Sequence, residues 1–234
     1  NGPTVLYSCP LRALLNNLFV RLETYGNYVG RTVGLWHGDV GPSDRRRIVS
    51  EPPDILLTTP ESLEVILLSR QRDKEKLFGE LRVAIVDEIH AFAGDDRGWL
   101  SVLERVSHFA GRELQRIGLS ATVGKPDDLL DWLAPVADRP RRVIAPPQEP
   151  LASVDVTLDH VGSLDNAATV LSRLYVGEKR LVFCDSRSRV EDLAAALRKH
   201  QVETYVSHGS LGREERRQTE RAFSESSDCV VVAT

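Results

Sequence analysis

The chain has 234 residues, 41% hydrophobic and 27% charged, enough for one large or two modest globular domains. Its net charge of −4 excludes a uniformly basic protein, so any nucleic-acid binding must use local patches such as Arg45–Arg47, Arg139–Arg142 and Arg213–Arg217. No apolar run could span a bilayer, no secretory leader opens the sequence, and Cys9, Cys184 and Cys229 lie in or beside apolar runs without metal-site spacing; a cytoplasmic protein with no membrane partner is expected.

TVLYSC (4–9) reads as a strand, followed by PLRALLNNLFVRLE, a helix with Leu11, Leu14, Leu15, Leu18, Phe19 and Leu22 on one face. TVGLWH (32–37) gives a second strand, with a short polar helix near Ser43–Val49. DILLTT (54–59) leads to PESLEVILL, a helix opened by Pro60 in its first turn. RVAIVDE (82–88) leads through a loop with Gly94 and Gly98 to a helix over Trp99–Phe109, and RIGLSAT (116–122) leads to PDDLLDWL.

The proline-rich, basic stretch 134–150 breaks this alternation, so the expected limits are a first domain at 1–134, a linker at 135–150 and a second domain at 151–234. Beyond it come VDVTLDHV (154–161), a helix over 164–175, RLVFC (180–184), a helix over 188–199, VETYVSH (202–208), a helix over 213–223 and CVVVAT (229–234). Strand–helix alternation with near-continuous apolar strands predicts an α/β fold with parallel sheets buried on both faces. The lack of methionine and the apolar run ending at Thr234 read as an internal piece of a longer chain, with both domains incomplete.

Ligands of open parallel sheets bind at the carboxyl ends of the strands. Polar clusters fall at those ends throughout: Ser8–Pro10, His37-Gly38-Asp39, Thr58-Thr59-Pro60, Asp87-Glu88, Ser120-Ala121-Thr122, Cys184-Asp185-Ser186, His208-Gly209 and Thr234. Asp87 and Glu88 end four apolar residues. The first acid, held rigidly, suits a hard cation bridging phosphate oxygens, and the second can face an attacking water. The plain alternatives are a strand leaving the core at a polar turn, a turn histidine at His90, and a helix cap at Ser120 and Thr122.

Taken together, DEIH (87–90) and SAT (120–122) resemble motifs II and III of superfamily-two helicases. SCPLRAL (8–14) resembles motif Ia, TTPESL (58–63) motif Ib, LVFCDSRSRVEDLAAAL (181–197) motif IV and VVVAT (230–234) the first half of motif V, while HGSLGREERR (208–217) is similar to the segment after motif IV. DEIHAFAGDDRG, the WHGD segment and GLSATVGKPDDLLDWL bring the resemblance closer to the Lhr (large helicase-related) family.

That resemblance implies two tandem RecA-like domains, with ATP and Mg²⁺ as nucleotide and metal. Asp87 would bind the metal-nucleotide and Glu88 activate the water, with both contacting the nucleotide. His90, Ser120 and Thr122 would couple hydrolysis to nucleic acid. Arg12, Thr59, Ser186, His208, Gly209 and Thr234 would line the nucleic-acid track, using hydroxyls, amides and an arginine as a backbone-reading groove requires. It further implies a 3′-to-5′ translocase on single-stranded DNA that unwinds DNA or DNA–RNA duplexes.

No G-x-x-x-x-G-K-[ST] loop occurs in the chain, and in such helicases that phosphate cradle precedes motif Ia. The arginine-finger motif that follows motif V is also absent. The 234 residues alone are therefore expected to hydrolyse no ATP at a useful rate. An RNA helicase or another superfamily-two translocase would share these motifs. A binding module without ATPase activity would leave the acids unused, and a metal nuclease would leave the other strand-end clusters unexplained.

Overall fold

A computed structural model describes residues 2–92, 98–121, 123–133, 140–145 and 155–234. The chain forms two compact units, Asn1–Pro147 and Gln148–Thr234. Most of the expected linker lies outside the described residues, and 140–145 carry no regular structure.

The first unit is a five-stranded parallel sheet. Its strands are β1 (Val5–Ser8), β2 (Val33–Trp36), β3 (Ile55–Thr58), β4 (Val83–Val86) and β5 (Gln115–Gly118), in the order β2-β3-β1-β4-β5. One face is covered by α1 (Arg12–Tyr28), where Leu15 packs with Cys9 and Leu57 over Tyr7, Leu18, Phe19 and Leu22. Leu11 and Leu14, expected on that face, are exposed: Leu11 caps the helix from outside it, and Leu14 stands at the margin of the buried stripe. The helix runs past the expected end to Tyr28 and stops where Gly30 takes the left-handed conformation that a side chain disfavours (φ 65°).

The other face carries the main core. It is built from α2 (Pro42–Ser50), α3 (Pro60–Leu67), α4 (Gln71–Phe78), α5 (Gly98–Ala110) and α6 (Pro126–Leu133). Leu56, Leu63, Leu77, Phe78, Val86 and Val106 are fully buried there, each contributing about 1.5–3 kcal/mol of transfer free energy. α4 departs from the sequence expectation. QRDKEKLF has no apolar periodicity, and only Leu77 and Phe78 at its end anchor it.

The second unit is a three-stranded parallel sheet of β6 (Lys179–Phe183), β7 (Thr204–Ser207) and β8 (Cys229–Ala233), in the order β6-β8-β7. Helices α7 (Leu164–Leu171) and α8 (Arg187–Lys199) build its core through Ala168, Val190, Leu193 and Leu197, and α9 (Arg213–Glu225) packs against β7 and β8. The stretch expected as a strand at 154–161 is not one among the described residues. Positions 155–160 are exposed and make no ladder, so alternation alone does not hold them extended in a sheet. The helix expected to reach 175 ends at Leu171 and gives way to turns. Burial on both faces holds for β8 but fails at the sheet margins, where β5 is half-exposed and β6 presents Leu181 and Phe183 to solvent. Among the described residues, no helix is long and apolar enough to cross a membrane.

Candidate functional site at the strand ends

Parallel pairing fixes a common rim. Trp36, Thr58, Ser8, Val86 and Gly118 stand level across the first sheet, so His37, Thr59, Cys9, Asp87 and Leu119 follow them along its carboxyl edge. Asp87 and Glu88 therefore leave the core at the central strands, where the chain has crossed from β3 on one side of β1 to β4 on the other. Ligands bind at such a reversal of strand order.

Backbone bonds join the two acidic residues to their neighbours. The Asp87 N–H donates to Ser8 O (2.8 Å), Leu119 N–H to Val86 O (2.8 Å), and Ile89 N–H to Leu119 O (3.0 Å). The segments after β4 and β5 are thereby stitched together, and a single 3₁₀ turn, Ile89–Ala91, follows. Ile89 fits because residue 118 is glycine: a Cβ there would lie 2.7 Å from Ile89 Cδ1.

Glu88 is left-handed (φ 53°, ψ 43°). That conformation costs a side-chain-bearing residue roughly 1–2 kcal/mol, and such outliers gather where a side chain must point in a set direction. Its carboxylate lies 3.4 Å from His90 Nδ1, which in turn makes a 2.7 Å hydrogen bond with Ser120 Oγ. Glu88, His90 and Ser120 thus form one connected set across two strands. Thr122, expected beside them, lies outside the described residues.

Asp87 is held from both oxygens. Oδ1 accepts the Glu88 N–H (2.9 Å), and Oδ2 accepts the Tyr7 hydroxyl (2.6 Å). Burial, then the bond to Asp87 and the acid's charge, push the Tyr7 phenol well above its ordinary value, so it remains a donor. Sequence reading missed Tyr7, because its partner is 80 positions away and only the β1–β4 pairing joins them. Burial first of all also raises the thiols of Cys9 and Cys184, which makes neither a thiolate nucleophile.

Magnesium takes one or two carboxylates and fills its shell with phosphate oxygens and water. Asp87 suits that demand: each of its oxygens keeps a lone pair beyond the bond it accepts. Among the described residues, no group of three His, Cys, Asp or Glu could hold a metal by itself.

The expected nucleic-acid residues fall on both units. Arg12 opens α1 and pairs with Asp39 (3.0 Å), its guanidinium lying close over Gly38. The turn beneath it is built around buried His37. Nδ1 of that ring accepts the Asp39 N–H (3.2 Å), Nε2 faces Asn16 Oδ1 (2.9 Å), and Arg45 donates to the carbonyls of His37 and Gly38. Arg45, first read with Arg46 and Arg47 as a basic patch, is thus engaged inside the turn. Thr59 is buried, and its hydroxyl caps α3, accepting the Ser62 N–H (3.3 Å).

In the second unit, Ser186 caps α8 and stays exposed, Thr234 follows β8 at the rim, and Gly209 is exposed beside Arg187. The His208 side chain is 6% exposed. Its Nε2 meets Glu191 Oε1 at 2.7 Å, while Nδ1 has no hydrogen-bond partner among the described residues. Arg187 donates to Ser210 Oγ (2.6 Å). The sequence reading picked out neither Arg187 nor Glu191, although both lie on the exposed face of a helix that opens at a strand end.

A family profile described as DEAD/DEAH box helicase matches residues 1–129, and one described as helicase conserved C-terminal domain matches residues 165–234. The chain is 34% identical over 219 residues to the Lhr helicase/probable uracil glycosylase of Mycolicibacterium smegmatis, covering 84% of this chain and 14% of that protein. It is 31% identical over 260 residues to the ATP-dependent helicase Lhr-Core of Methanothermobacter thermautotrophicus, covering 98% of this chain and 30% of that one. Among solved structures, Mycobacterium smegmatis helicase Lhr bound to single-stranded DNA and AMP-PNP superposes with a TM-score of 0.83 at 30% identity, over 100% of this chain and 34% of that one. The chain thus spans well under half of these relatives. The units have the tandem RecA-like α/β fold of such helicases.

Proposed function

The chain belongs to the DEAD/DEAH box helicase family, and from that premise we propose that it is the motor region of an ATP-dependent DNA helicase or translocase of Lhr type, moving 3′ to 5′. The observation that carries the reading is the connected set of Glu88, His90 and Ser120 on the rim beside Asp87, with a 2.7 Å bond between the segments that follow β4 and β5. A binding module needs no such set.

Asp87 would hold the Mg²⁺ of bound Mg·ATP, and the cation would supply charge neutralisation for phosphoryl transfer. Glu88 orients and deprotonates the attacking water. Its side chain is 28% exposed, so solvent reaches it, and the left-handed backbone sets its direction. His90 ties Glu88 to Ser120, so that displacement of the β5 end is felt at the water-directing carboxylate. Thr122 is assigned with Ser120 to coupling hydrolysis to nucleic acid. Arg12 in the first unit, and Ser186, Gly209 and Thr234 in the second, are exposed and offer phosphates of a nucleic-acid strand a guanidinium, hydroxyls and a backbone amide, while buried Thr59 and the enclosed His208 side chain would shape the backbone beside them. Similarity to a helicase whose structure was determined with single-stranded DNA and AMP-PNP supports DNA and ATP as ligands. We take 1–134 and 151–234, with a linker at 135–150, as the domain limits.

The test is DNA-stimulated ATP hydrolysis by the full-length protein. Glu88→Gln is expected to lower kcat by at least about 100-fold, the scale of a general-base deletion, with DNA binding retained. Parental turnover in that variant refutes the assignment. Strand displacement from duplexes with 3′ or 5′ tails, of DNA or RNA, decides polarity and nucleic-acid class.

A further inference from the structure

Tyr7 carries no motif and is half-buried on β1. It stands opposite Ile85 in the β1–β4 register. Asp87 is two residues beyond Ile85, and side chains two apart along a strand share a face, so the phenol and the carboxylate point to the same side of the sheet. The hydroxyl donates to Asp87 Oδ2 at 2.6 Å, the range of a charge-assisted O–H···O⁻ bond. The ring packs into the small core of Cys9, Leu15 and Leu57, so the donor is fixed by apolar contacts rather than carried on a mobile stem.

A carboxylate at a strand end turns freely about its last torsion, which has no sharp staggered minimum. Here that freedom is removed from both sides, by Tyr7 at one oxygen and the Glu88 N–H at the other. Each oxygen keeps a lone pair, and those lone pairs have one set direction.

We propose that Tyr7 is a positioning residue for Asp87, fixing the plane in which this carboxylate presents its remaining lone pairs to the magnesium of bound Mg·ATP. The proposal rests on the assignment of Asp87 given above. Partners of a metal-binding carboxylate act on affinity through orientation, and their removal typically costs about 10–100-fold in metal affinity or activity.

The experiment uses the full-length protein carrying Tyr7→Phe, which keeps the ring and removes only the donor. Mn²⁺ is the probe, added with a non-hydrolysable ATP analogue and followed by its electron paramagnetic resonance signal. Tyr7→Phe is expected to weaken Mn²⁺ binding to the nucleotide complex about tenfold or more, to leave metal-free nucleotide binding at the parental level, and to regain turnover as Mg²⁺ is raised. Tyr7→Gln, which keeps a donor but loses the ring, guards against a packing effect. If Phe is silent and Gln damaging, Tyr7 is a packing residue and the proposal fails. Parental Mn²⁺ affinity in Tyr7→Phe, with turnover abolished by Glu88→Gln, also overturns it while leaving the ATPase assignment intact. Parental Mn²⁺ affinity in Asp87→Asn removes the Asp87 assignment and, with it, the proposal.

Discussion

Glu88 offers a test of the candidate site that needs no substrate. At an ordinary helix or strand position, alanine is more stable than glycine by roughly 0.5–1 kcal/mol, because glycine has more unfolded-chain freedom to lose. At φ 53° and ψ 43° the order should reverse. A side chain in the left-handed region costs roughly 1–2 kcal/mol, which Glu88→Ala retains and Glu88→Gly relieves. Subtracting glycine's entropic penalty leaves the Gly variant more stable than the Ala variant by about 0.75 kcal/mol at mid-range, within limits of roughly 0–1.5 kcal/mol. Loss of the carboxylate beside His90 affects both variants alike, and a partly exposed polar contact of this kind is worth no more than about 1 kcal/mol. The measurement is thermal and denaturant unfolding of the parent, Gly and Ala chains. A difference near 1 kcal/mol appears as about 2–4 °C in the transition of a unit this size. An Ala variant equal to or more stable than Gly would show that Glu88 is unstrained, and the backbone argument for its directed carboxylate would go with it.

The His90–Ser120 bond should register as coupling in a double-mutant cycle on DNA-stimulated turnover of the full-length protein. With a net bond worth of about 0.5–1.5 kcal/mol, the effects of His90→Ala and Ser120→Ala should fall short of additive by about 2- to 13-fold in kcat, and strict additivity would mean that the bond is idle. Gly118→Ala places a Cβ against Ile89 and Leu133 and should cost about 1–3 kcal/mol by overpacking; Ile89→Val in the same chain should return much of it in unfolding experiments. Asp54 accepts the Thr32 N–H (2.8 Å), the Thr32 hydroxyl and the Arg31 guanidinium, and the Thr32 N–H above all holds its carboxyl below the ordinary value. Because the folded value is depressed, that stabilisation is present above the unfolded value of about 4 and disappears as pH falls through the lower, folded one. Asp54→Asn should therefore melt earlier than the parent at neutral pH, with the gap closing below about pH 3; a gap independent of pH would contradict the cause given.

The strands were legible wherever an apolar run ended in a polar break, as VAIV does at Asp87 and VVVA does at Thr234. That break also revealed the paired acids, since nothing in strand packing calls for two carboxylates there. Other features have no local signature. QRDKEKLF becomes α4 because two terminal side chains find a core assembled from distant segments, and VDVTLDHV alternates yet lacks a strand to pair with among the described residues. The bonds that define the candidate site join residues 80 and 30 positions apart, and they exist only once β1 and β5 flank β4. Hydroxyls show the converse difficulty. Thr59 and Ser186 look alike at their strand ends, but Thr59 is buried and engaged with Ser62, whereas Ser186 caps α8 and remains exposed.

Why the chain accepts strain at Glu88 follows from the next residue. Ile89 is 4% exposed and belongs to the main core. Burying such a side chain is worth about 1.5–3 kcal/mol, more than the roughly 1–2 kcal/mol that the left-handed turn costs. Continuing as a strand would carry Ile89 past the rim into solvent, and only a reversal at residue 88 brings it back over the gap left by Gly118. The backbone bond from Ile89 N–H to Leu119 O closes that reversal, and the same bond draws His90 to Ser120. The direction of the Glu88 carboxylate is therefore set from below, by an apolar anchor. Enlarging residue 118 or shortening residue 89 should thus disturb turnover without touching any group at the rim.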